Sequence, residues 1–331
     1  MNKDEFMYKV VVLDHTFGNI NITKSILEPI DAEVLEYQCM NPSEAVPLVE
    51  DADAVLVTNA KTMNRDTISK LKKCKIIAKH GIGPDIIDVD AATEHGIIVA
   101  NVPDYCLNEV SHQAMALTFA CARKLFQSDR QVRQELIHDA PALRPIKPLQ
   151  KSVFGIIGFG RIGRITAKSL SSISESIIFY DPYFEGDFEV NGVTVIKRAL
   201  DELYKNSDFI IIHAPYTKEN YHLLNSEAFS IMEQQPYIIN VGRGELIDNE
   251  SLIKALESGI ISGAGLDVIE GMPPIDKDDP LLKFSNVIFT PHSAWYSEGS
   301  FNELQSKAAM EVKRVLTGGK PLSWVNEAEM K

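Results

Sequence analysis

Residues 153–163 read VFGIIGFGRIG, and the rest of the chain is interpreted from this stretch outward. Its apolar residues form a short run bounded by glycine, which predicts a strand buried on both faces. Gly158, Gly160 and Gly163 then follow in the spacing G-x-G-x-x-G, at the start of a helix-like composition. In this pattern the first glycine permits a tight turn, the second lets the backbone approach a pyrophosphate, and the third lets helix and strand pack closely.

A second strand-like run, Ile177–Tyr180, follows at the distance typical of a βαβ unit and ends in Asp181, 18 residues after Gly163. An acidic side chain there accepts hydrogen bonds from the adenosine ribose and repels a 2′-phosphate. The alternative is an ordinary glycine-rich turn followed by a surface aspartate. Motif, spacing and acidic residue together favour an NAD site. Its phosphate turn is predicted to comprise Gly158, Phe159, Gly160, Arg161, Ile162 and Gly163.

The composition is that of an ordinary globular protein of two domains. The 331 residues are 45% hydrophobic and 24% charged, so each half can bury its own core. The net charge of −13, without a basic stripe, argues against nucleic-acid binding. The sequence shows no membrane-spanning run and no signal peptide. Its four cysteines fall at no metal-ligand spacing. We therefore expect a cytoplasmic protein without a metal site.

Short β-branched runs alternate with amphipathic stretches in both halves of the chain. The strands predicted in the first half lie at residues 8–13, 33–36, 54–57, 75–78 and 97–100. Those predicted after the phosphate turn lie at residues 177–180, 193–196, 208–212, 237–241, 263–266 and 287–289. The predicted helices of the first half lie at residues 20–27, 64–71 and 89–95. This alternation is typical of parallel sheets that are covered on both faces by helices.

Two long amphipathic segments, residues 107–126 and 300–316, are predicted to be helices that flank the second half, the first of them a spine between domains. The fold class is therefore α/β, with two doubly wound parallel-sheet domains and the active site in the cleft between them. The predicted domains are a flavodoxin-like substrate domain of residues 1–105 plus 298–331 and an NAD-binding Rossmann domain of residues 106–297.

Two side chains just beyond predicted strand ends can carry chemistry. Arg243 lies between two glycines, and a guanidinium on such a turn can grip a carboxylate with two hydrogen bonds and polarise a neighbouring carbonyl. His292 follows the last predicted strand and can transfer a proton at neutral pH, as carbonyl reduction requires. Each residue alone is compatible with a surface or structural role. Together, in an NAD domain, they favour catalysis.

Other residues at strand ends are predicted to border the ligands. His213 is expected beside the adenosine half of the cofactor, and Asp267 is expected to accept a hydrogen bond from the nicotinamide amide. The further cofactor contacts are predicted at Ala214, Pro215, Val241, Gly242, Arg243, His292 and Ala294. In the first half, the backbone N–H groups of the glycine-containing loop after His80 would face an anionic substrate. The residues of this loop that are predicted to contact the substrate are Gly81, Ile82 and Gly83.

Ordered motifs over nearly the whole chain resemble the NAD-dependent D-2-hydroxyacid dehydrogenases. They are HGIGPDIID (80–88), NVPDYC (101–106), GIIGFGRIG (155–163), INVGRGELID (239–248), LDV (266–268) and PHSAWYSE (291–298). Two of them look most like the branch of the C-terminal binding proteins. The resemblance implies that Arg243 binds the 2-oxo acid and that His292 donates the proton. It also implies that Trp295 lines the substrate pocket, that Lys79 contacts the carboxylate, and that homodimers pair through the coenzyme domains.

One position departs from the family. Met272 stands five residues after Asp267, where the family has a glutamate that hydrogen-bonds the catalytic histidine. A thioether cannot orient an imidazole or stabilise its charged form, so His292 is expected to be a weaker proton reservoir. Whether Glu270, two residues away, replaces the glutamate is left open by the sequence.

The predicted function is NAD-dependent interconversion of a small 2-oxo acid and a D-2-hydroxy acid. Met272 keeps two alternatives open. The first is an NAD(H)-sensing interaction protein with little turnover. The second is hydride transfer that needs no acid or base, as in the oxidation of formate.

Overall fold

The computed structural model describes residues 6–136, 139–271 and 276–330. The chain divides into two compact units. Unit 1 comprises Met1–Cys106 and Tyr296–Lys331, and unit 2 comprises Leu107–Trp295. Each unit contains one sheet with helices packed against it, as expected for an α/β protein.

Unit 1 is built on a five-stranded parallel sheet. Its strands are β1 (Tyr8–Val12), β2 (Ala32–Glu36), β3 (Ala54–Val57), β4 (Ile76–Lys79) and β5 (Ile98–Ala100). They lie in the order β2-β1-β3-β4-β5, and all pairs are parallel. Every residue of β3 and β4 is buried, because helices cover both faces of such a sheet.

Four helices connect these strands: α1 (Asn21–Leu27), α2 (Pro42–Val49), α3 (Arg65–Ile68) and α4 (Val89–Glu94). The predicted helix over residues 64–71 is wrong in length, because only α3 forms there. Asn64 caps its start by accepting a hydrogen bond from the Thr67 N–H group. After Ile68 the chain continues in i→i+3 turns, including Leu71 N–H to Ile68 O at 3.1 Å, so the α-helical pattern ends.

Unit 2 is built on an eight-stranded sheet in the order β13-β12-β11-β10-β6-β7-β9-β8. Its strands are β6 (Phe154–Ile157), β7 (Ile177–Tyr180), β8 (Phe188–Val190), β9 (Val193–Lys197), β10 (Phe209–Ile212), β11 (Tyr237–Asn240), β12 (Gly263–Leu266) and β13 (Val287–Phe289). Only β8 is antiparallel to its neighbour, and it is absent from the predicted strands. Asn191 and Gly192, both at positive φ, join it to β9. An Asn-Gly pair is the sequence signal for such a hairpin.

The helices of unit 2 are α5 (Leu107–Ala122), α6 (Leu125–Arg133), α7 (Arg161–Leu170), α8 (Leu200–Asn206), α9 (Ser226–Ser230) and α10 (Asn249–Glu257). The predicted continuous helix over residues 107–126 is wrong. Lys124 has a left-handed φ of 49°, and an L-residue in that conformation cannot continue a right-handed helix. The helix therefore ends before Lys124, and a second helix, α6, begins after it. Helix α5 packs on α7, β11 and β12, whereas α6 has no buried residue.

The chain then returns to unit 1 as α11 (Glu298–Leu316), which packs on α1 and β4. Beyond it, Asn326 is fully buried. Its amide group accepts a hydrogen bond from Val99 N–H at 2.9 Å and donates to Ile97 O at 3.0 Å. These hydrogen bonds hold the chain at Asn326 beside β5.

Two kinds of feature are absent from the parts of the chain that the structure describes. No helix there is long and apolar enough to cross a bilayer. The same residues contain no group of three or more histidine, cysteine, aspartate or glutamate side chains able to hold a metal ion.

Candidate active site

In unit 2, predicted site residues follow the carboxyl ends of six neighbouring parallel strands. In the order of the strands from β13 to β7, these residues are His292, Asp267, Arg243, His213, Gly158 and Asp181. Neighbouring parallel strands end at the same edge of a sheet, which is where α/β proteins bind ligands. The structure therefore brings these six residues to one edge of the sheet of unit 2.

The glycine turn after β6 has the geometry that a dinucleotide phosphate requires. Gly158 has a φ of 90°, and a Cβ atom there would lie 2.5 Å from the Ala214 nitrogen. A Cβ atom on Gly163 would lie 2.2 Å from the Gly158 oxygen. At Gly160, the N-cap of α7, a Cβ atom would have no neighbour within 4 Å. The open space thus lies at a helix N-terminus, where a pyrophosphate is stabilised.

Asp181 is fixed beside this turn. One carboxylate oxygen accepts a hydrogen bond from the Phe159 N–H group at 2.7 Å, and the other accepts one from Tyr183 N–H at 2.8 Å. The carboxylate is partly exposed at the end of β7. It is therefore held at the position where such folds bind the adenosine ribose.

We expect the protein to bind NADH at least about tenfold more tightly than NADPH, because the Asp181 carboxylate would repel a 2′-phosphate. Replacing Asp181 with serine removes the charge and should bring the two dissociation constants to within about threefold of each other. Fluorescence titration with both cofactors measures this, with Asp201→Ser on α8 as the control. Equal affinities in the unmodified protein would contradict the assignment of Asp181.

His213 lies after β10, and its Nε2 atom is 2.9 Å from the Thr166 hydroxyl on α7. Its Nδ1 atom is buried and has no hydrogen-bond partner among the described residues. Burial lowers the pKa of His213 to about 3, so the ring is neutral at physiological pH. This environment suits a packing or cofactor-bordering role and argues against proton transfer.

The turn that carries Arg243 is held by Asn240, a buried residue that the sequence analysis did not single out. The Asn240 side chain accepts a hydrogen bond from Gly242 N–H at 3.0 Å and donates one to Arg243 O at 2.9 Å. Arg243 Nη1 also donates to Gly242 O at 2.9 Å. A polar residue that ends an otherwise apolar strand was the available signal, because a buried amide must be hydrogen-bonded.

Asp267 holds the turn that carries His292. The His292 N–H group donates to Asp267 O at 3.0 Å, with a left-handed φ of 51° at His292. The Asp267 carboxylate, 1% exposed, accepts hydrogen bonds from Ser293 N–H and Ala294 N–H, each at 3.0 Å, and from the Thr290 hydroxyl at 2.5 Å. Its predicted hydrogen bond to nicotinamide stays a prediction. His292 itself is exposed, and the neighbouring Trp295 is partly exposed.

In unit 1, Lys79 ends β4 and is 8% exposed. Its ammonium donates to the carbonyl oxygens of Thr58 and His80. A Cβ atom on Gly81 would lie 2.9 Å from this ammonium. Positive charge therefore lies against the predicted anion-binding loop of Gly81, Ile82 and Gly83. Burial and the Lys79 charge lower the pKa of His80 to about 3, so Lys79 is the cation here.

Met272 lies outside the described residues, so its predicted place near His292 stays a prediction. Glu270 is described. Its carboxylate is 2.9 Å from His222 Nε2 and accepts a hydrogen bond from the Tyr221 hydroxyl at 2.8 Å. Glu270 was a candidate for the support of His292 from its sequence position, whereas its pairing with His222 has no signal in the sequence.

Comparisons with known proteins agree with this fold and these motifs. Residues 115–294 match the family described as "D-isomer specific 2-hydroxyacid dehydrogenase, NAD binding domain". The chain is 34% identical over 297 residues to a glyoxylate reductase of Korarchaeum cryptofilum, which covers 88% of both proteins. It is 37% identical over 313 residues to a D-3-phosphoglycerate dehydrogenase of Methanocaldococcus jannaschii. That match covers 94% of this chain and 58% of the relative.

Two solved structures are similar over 96% of the chain. One is an acyclic imino acid reductase, Bsp5, in complex with NADPH and D-Arg, with a TM-score of 0.85, 28% identity and 99% of that chain covered. The other is a D-lactate dehydrogenase of Aquifex aeolicus with NAD and lactic acid, with a TM-score of 0.82, 25% identity and 98% of that chain covered. Fold, cofactor turn and relatives agree, and the chain belongs to the NAD-dependent, D-isomer specific 2-hydroxyacid dehydrogenase family.

Proposed function

We propose that this protein reduces a small 2-oxo acid to the D-2-hydroxy acid with NADH, or runs the reverse oxidation. One observation carries the proposal. The Arg243 and His292 turns are linked through β12 by main-chain hydrogen bonds, from Asp267 N–H to Asn240 O at 2.9 Å and from His292 N–H to Asp267 O at 3.0 Å. The turns that carry Arg243 and His292 are thus joined by main-chain hydrogen bonds at the same edge of the sheet of unit 2.

Each residue has a defined part in the reaction. Arg243 grips the substrate carboxylate and stabilises the negative charge that develops on the carbonyl oxygen. His292 gives its proton to that oxygen as the carbon–oxygen π bond breaks. Bound NADH supplies the hydride that forms the new C–H bond. In unit 1, the Lys79 ammonium and the N–H groups of the Gly81–Gly83 loop are suited to binding an anionic group.

The test is NADH oxidation with glyoxylate, pyruvate, phosphohydroxypyruvate and phenylpyruvate from about pH 5 to 9. Chiral chromatography then assigns the configuration of the other three products, because glycolate, formed from glyoxylate, is achiral. Turnover with at least one acid, and a D-product wherever the product is chiral, supports the proposal. If NADH binds but no acid is reduced, the NAD(H)-sensing alternative replaces it.

Met272 gives a prediction on pH dependence that rests on its sequence position. Reduction requires protonated His292, and a carboxylate beside an imidazole stabilises the charged ring. Met272→Glu should therefore move the falling limb of kcat/KM for reduction upward by about one pH unit. Met310→Glu, an exposed site on α11, is the control. An unmoved profile would mean that residue 272 does not act on His292.

A second candidate function is reduction of an acyclic 2-imino acid, which the missing glutamate and the similarity to the Bsp5 imino acid reductase favour. A protonated imine carries its proton already, so hydride addition yields an amine without a proton from His292. Adding ammonium to the 2-oxo acid assay tests this candidate. A D-amino acid as the main product would support it, and a D-hydroxy acid alone would contradict it.

We further propose a homodimer that pairs through unit 2. No residue of α6 is buried, and three of its apolar side chains, Leu125, Phe126 and Val132, are between 44% and 59% exposed. Exposed apolar side chains that gather on one helix are typical of an interface. Sedimentation velocity should give the mass of two chains.

A further inference from the structure

A histidine–carboxylate pair lies outside the residues assigned so far. His222 Nε2 is 2.9 Å and 3.0 Å from the two carboxylate oxygens of Glu270. Tyr221 stacks on the His222 ring at a centroid distance of 3.8 Å and donates its hydroxyl to Glu270 at 2.8 Å. Each side chain of the pair is 26% exposed, so the pair is partly shielded from solvent.

The segments that carry the pair both contact the turn after Arg243. On the first segment, His222 N–H donates to Glu245 O at 2.9 Å, and Leu224 N–H donates to Leu246 O at 2.9 Å. On the second, Glu270 lies so near Gly244 that a Cβ atom there would be 2.4 Å from the Glu270 nitrogen. The His222–Glu270 hydrogen bond therefore closes a ring of contacts that includes the Arg243 turn.

The backbone at His222 shows that this arrangement is held against a local cost. Its φ of 52° lies in the left-handed region, which residues other than glycine adopt uncommonly and at a cost in free energy. Asn240 holds the Arg243 turn from one side, and a second support is useful because the glycines on both sides of Arg243 restrict the backbone little. A loss of about 1 Å in placement can lower a rate about a hundredfold.

We propose that His222 and Glu270 are positioning residues for Arg243. Their pairing fixes the turn and so sets the direction of the guanidinium that grips the substrate carboxylate. This role rests on the proposed function. It replaces the idea that Glu270 supports His292, because both carboxylate oxygens lie within hydrogen-bond distance of His222 Nε2 and one of them also accepts from Tyr221.

Glu270→Ala is the main variant for testing this role. It should lower kcat/KM for the best 2-oxo acid about tenfold, with the NADH dissociation constant within about twofold of the unmodified protein. Glu270→Gln keeps an acceptor for His222 and should recover most of the loss. Glu233→Ala, which removes an exposed partner of Lys205, is the matched control and should change neither value.

Two readouts separate positioning from a merely structural effect. In an Arg243→Lys background, Glu270→Ala should change kcat/KM by less than about twofold, because the residue acts through Arg243. The pH profile of kcat/KM should fall in height without moving. Full additivity with Arg243→Lys, or a profile displaced to lower pH, would overturn the proposal, and the displacement would return Glu270 to His292.

Binding of oxamate, a non-reducible 2-oxo acid analogue, to the NADH complex gives a test without turnover. Glu270→Ala should raise the oxamate dissociation constant about tenfold. If the unmodified protein reduces a 2-oxo acid and Glu270→Ala equals it in rate and oxamate affinity, only the positioning role is wrong. If the unmodified protein neither reduces a 2-oxo acid nor binds oxamate, the proposed function and the positioning role are both wrong.

Discussion

Replacing Arg243 with lysine should lower kcat/KM for the best 2-oxo acid by about a hundredfold or more, although the charge is kept. The guanidinium is planar and can donate two parallel hydrogen bonds to a carboxylate, whereas an ammonium is a point donor. The turn itself should persist, because Asn240 holds it through the main-chain N–H of Gly242 and the main-chain oxygen of Arg243.

The measurement is steady-state reduction at saturating NADH, together with the cofactor dissociation constant. Arg198→Lys, at a partly exposed ion pair of unit 2, is the control and should have the kinetics of the unmodified protein. The NADH dissociation constant of Arg243→Lys should change by less than about threefold. Activity within about twofold of the unmodified protein would remove Arg243 from the substrate site.

Replacing His292 with asparagine should lower the rate of 2-oxo acid reduction by about 10²- to 10⁴-fold, the usual contribution of a general acid. Asparagine adopts the left-handed conformation observed at this position more readily than most residues do. The turn should also be kept, because its bond to Asp267 is made by the main-chain N–H group. The loss can then be assigned to the imidazole rather than to the backbone.

His95→Asn, at the C-cap of α4 in unit 1, is the matched control. NADH binding in His292→Asn should stay within about threefold of the unmodified protein. Retention of more than about a tenth of the reduction rate would contradict the assignment of His292. The same variant separates the two candidate functions. Reductive amination that survives while 2-oxo acid reduction is lost would favour the imino acid, because that substrate brings its own proton.

Local patterns in the sequence were enough to predict the sheets and the cofactor turn. Strands such as β3, β7, β12 and β13 begin and end where predicted, because a β-branched or apolar run bounded by polar residues encodes burial within a few residues. Gly158 and Gly163 were predicted from spacing alone, since the positive φ of Gly158 and the contact of Gly163 with the Gly158 oxygen are both local. The placement of Arg243 and His292 at strand ends followed from the same patterns.

Contacts between distant segments were decided only by the tertiary structure. Glu270 pairs with His222, 48 residues earlier in the chain, and Asp267 holds a turn that begins 23 residues later. Neither partner choice has a local signal, because it depends on how loops from different strands pack at the edge of the sheet. The break at Lys124 is likewise invisible to helical periodicity, which continues through it. Local patterns thus specified the α/β elements, the NAD turn and the candidate chemistry, whereas long-range packing decided that Asp267 bonds the turn after β13 and that Glu270 pairs with His222.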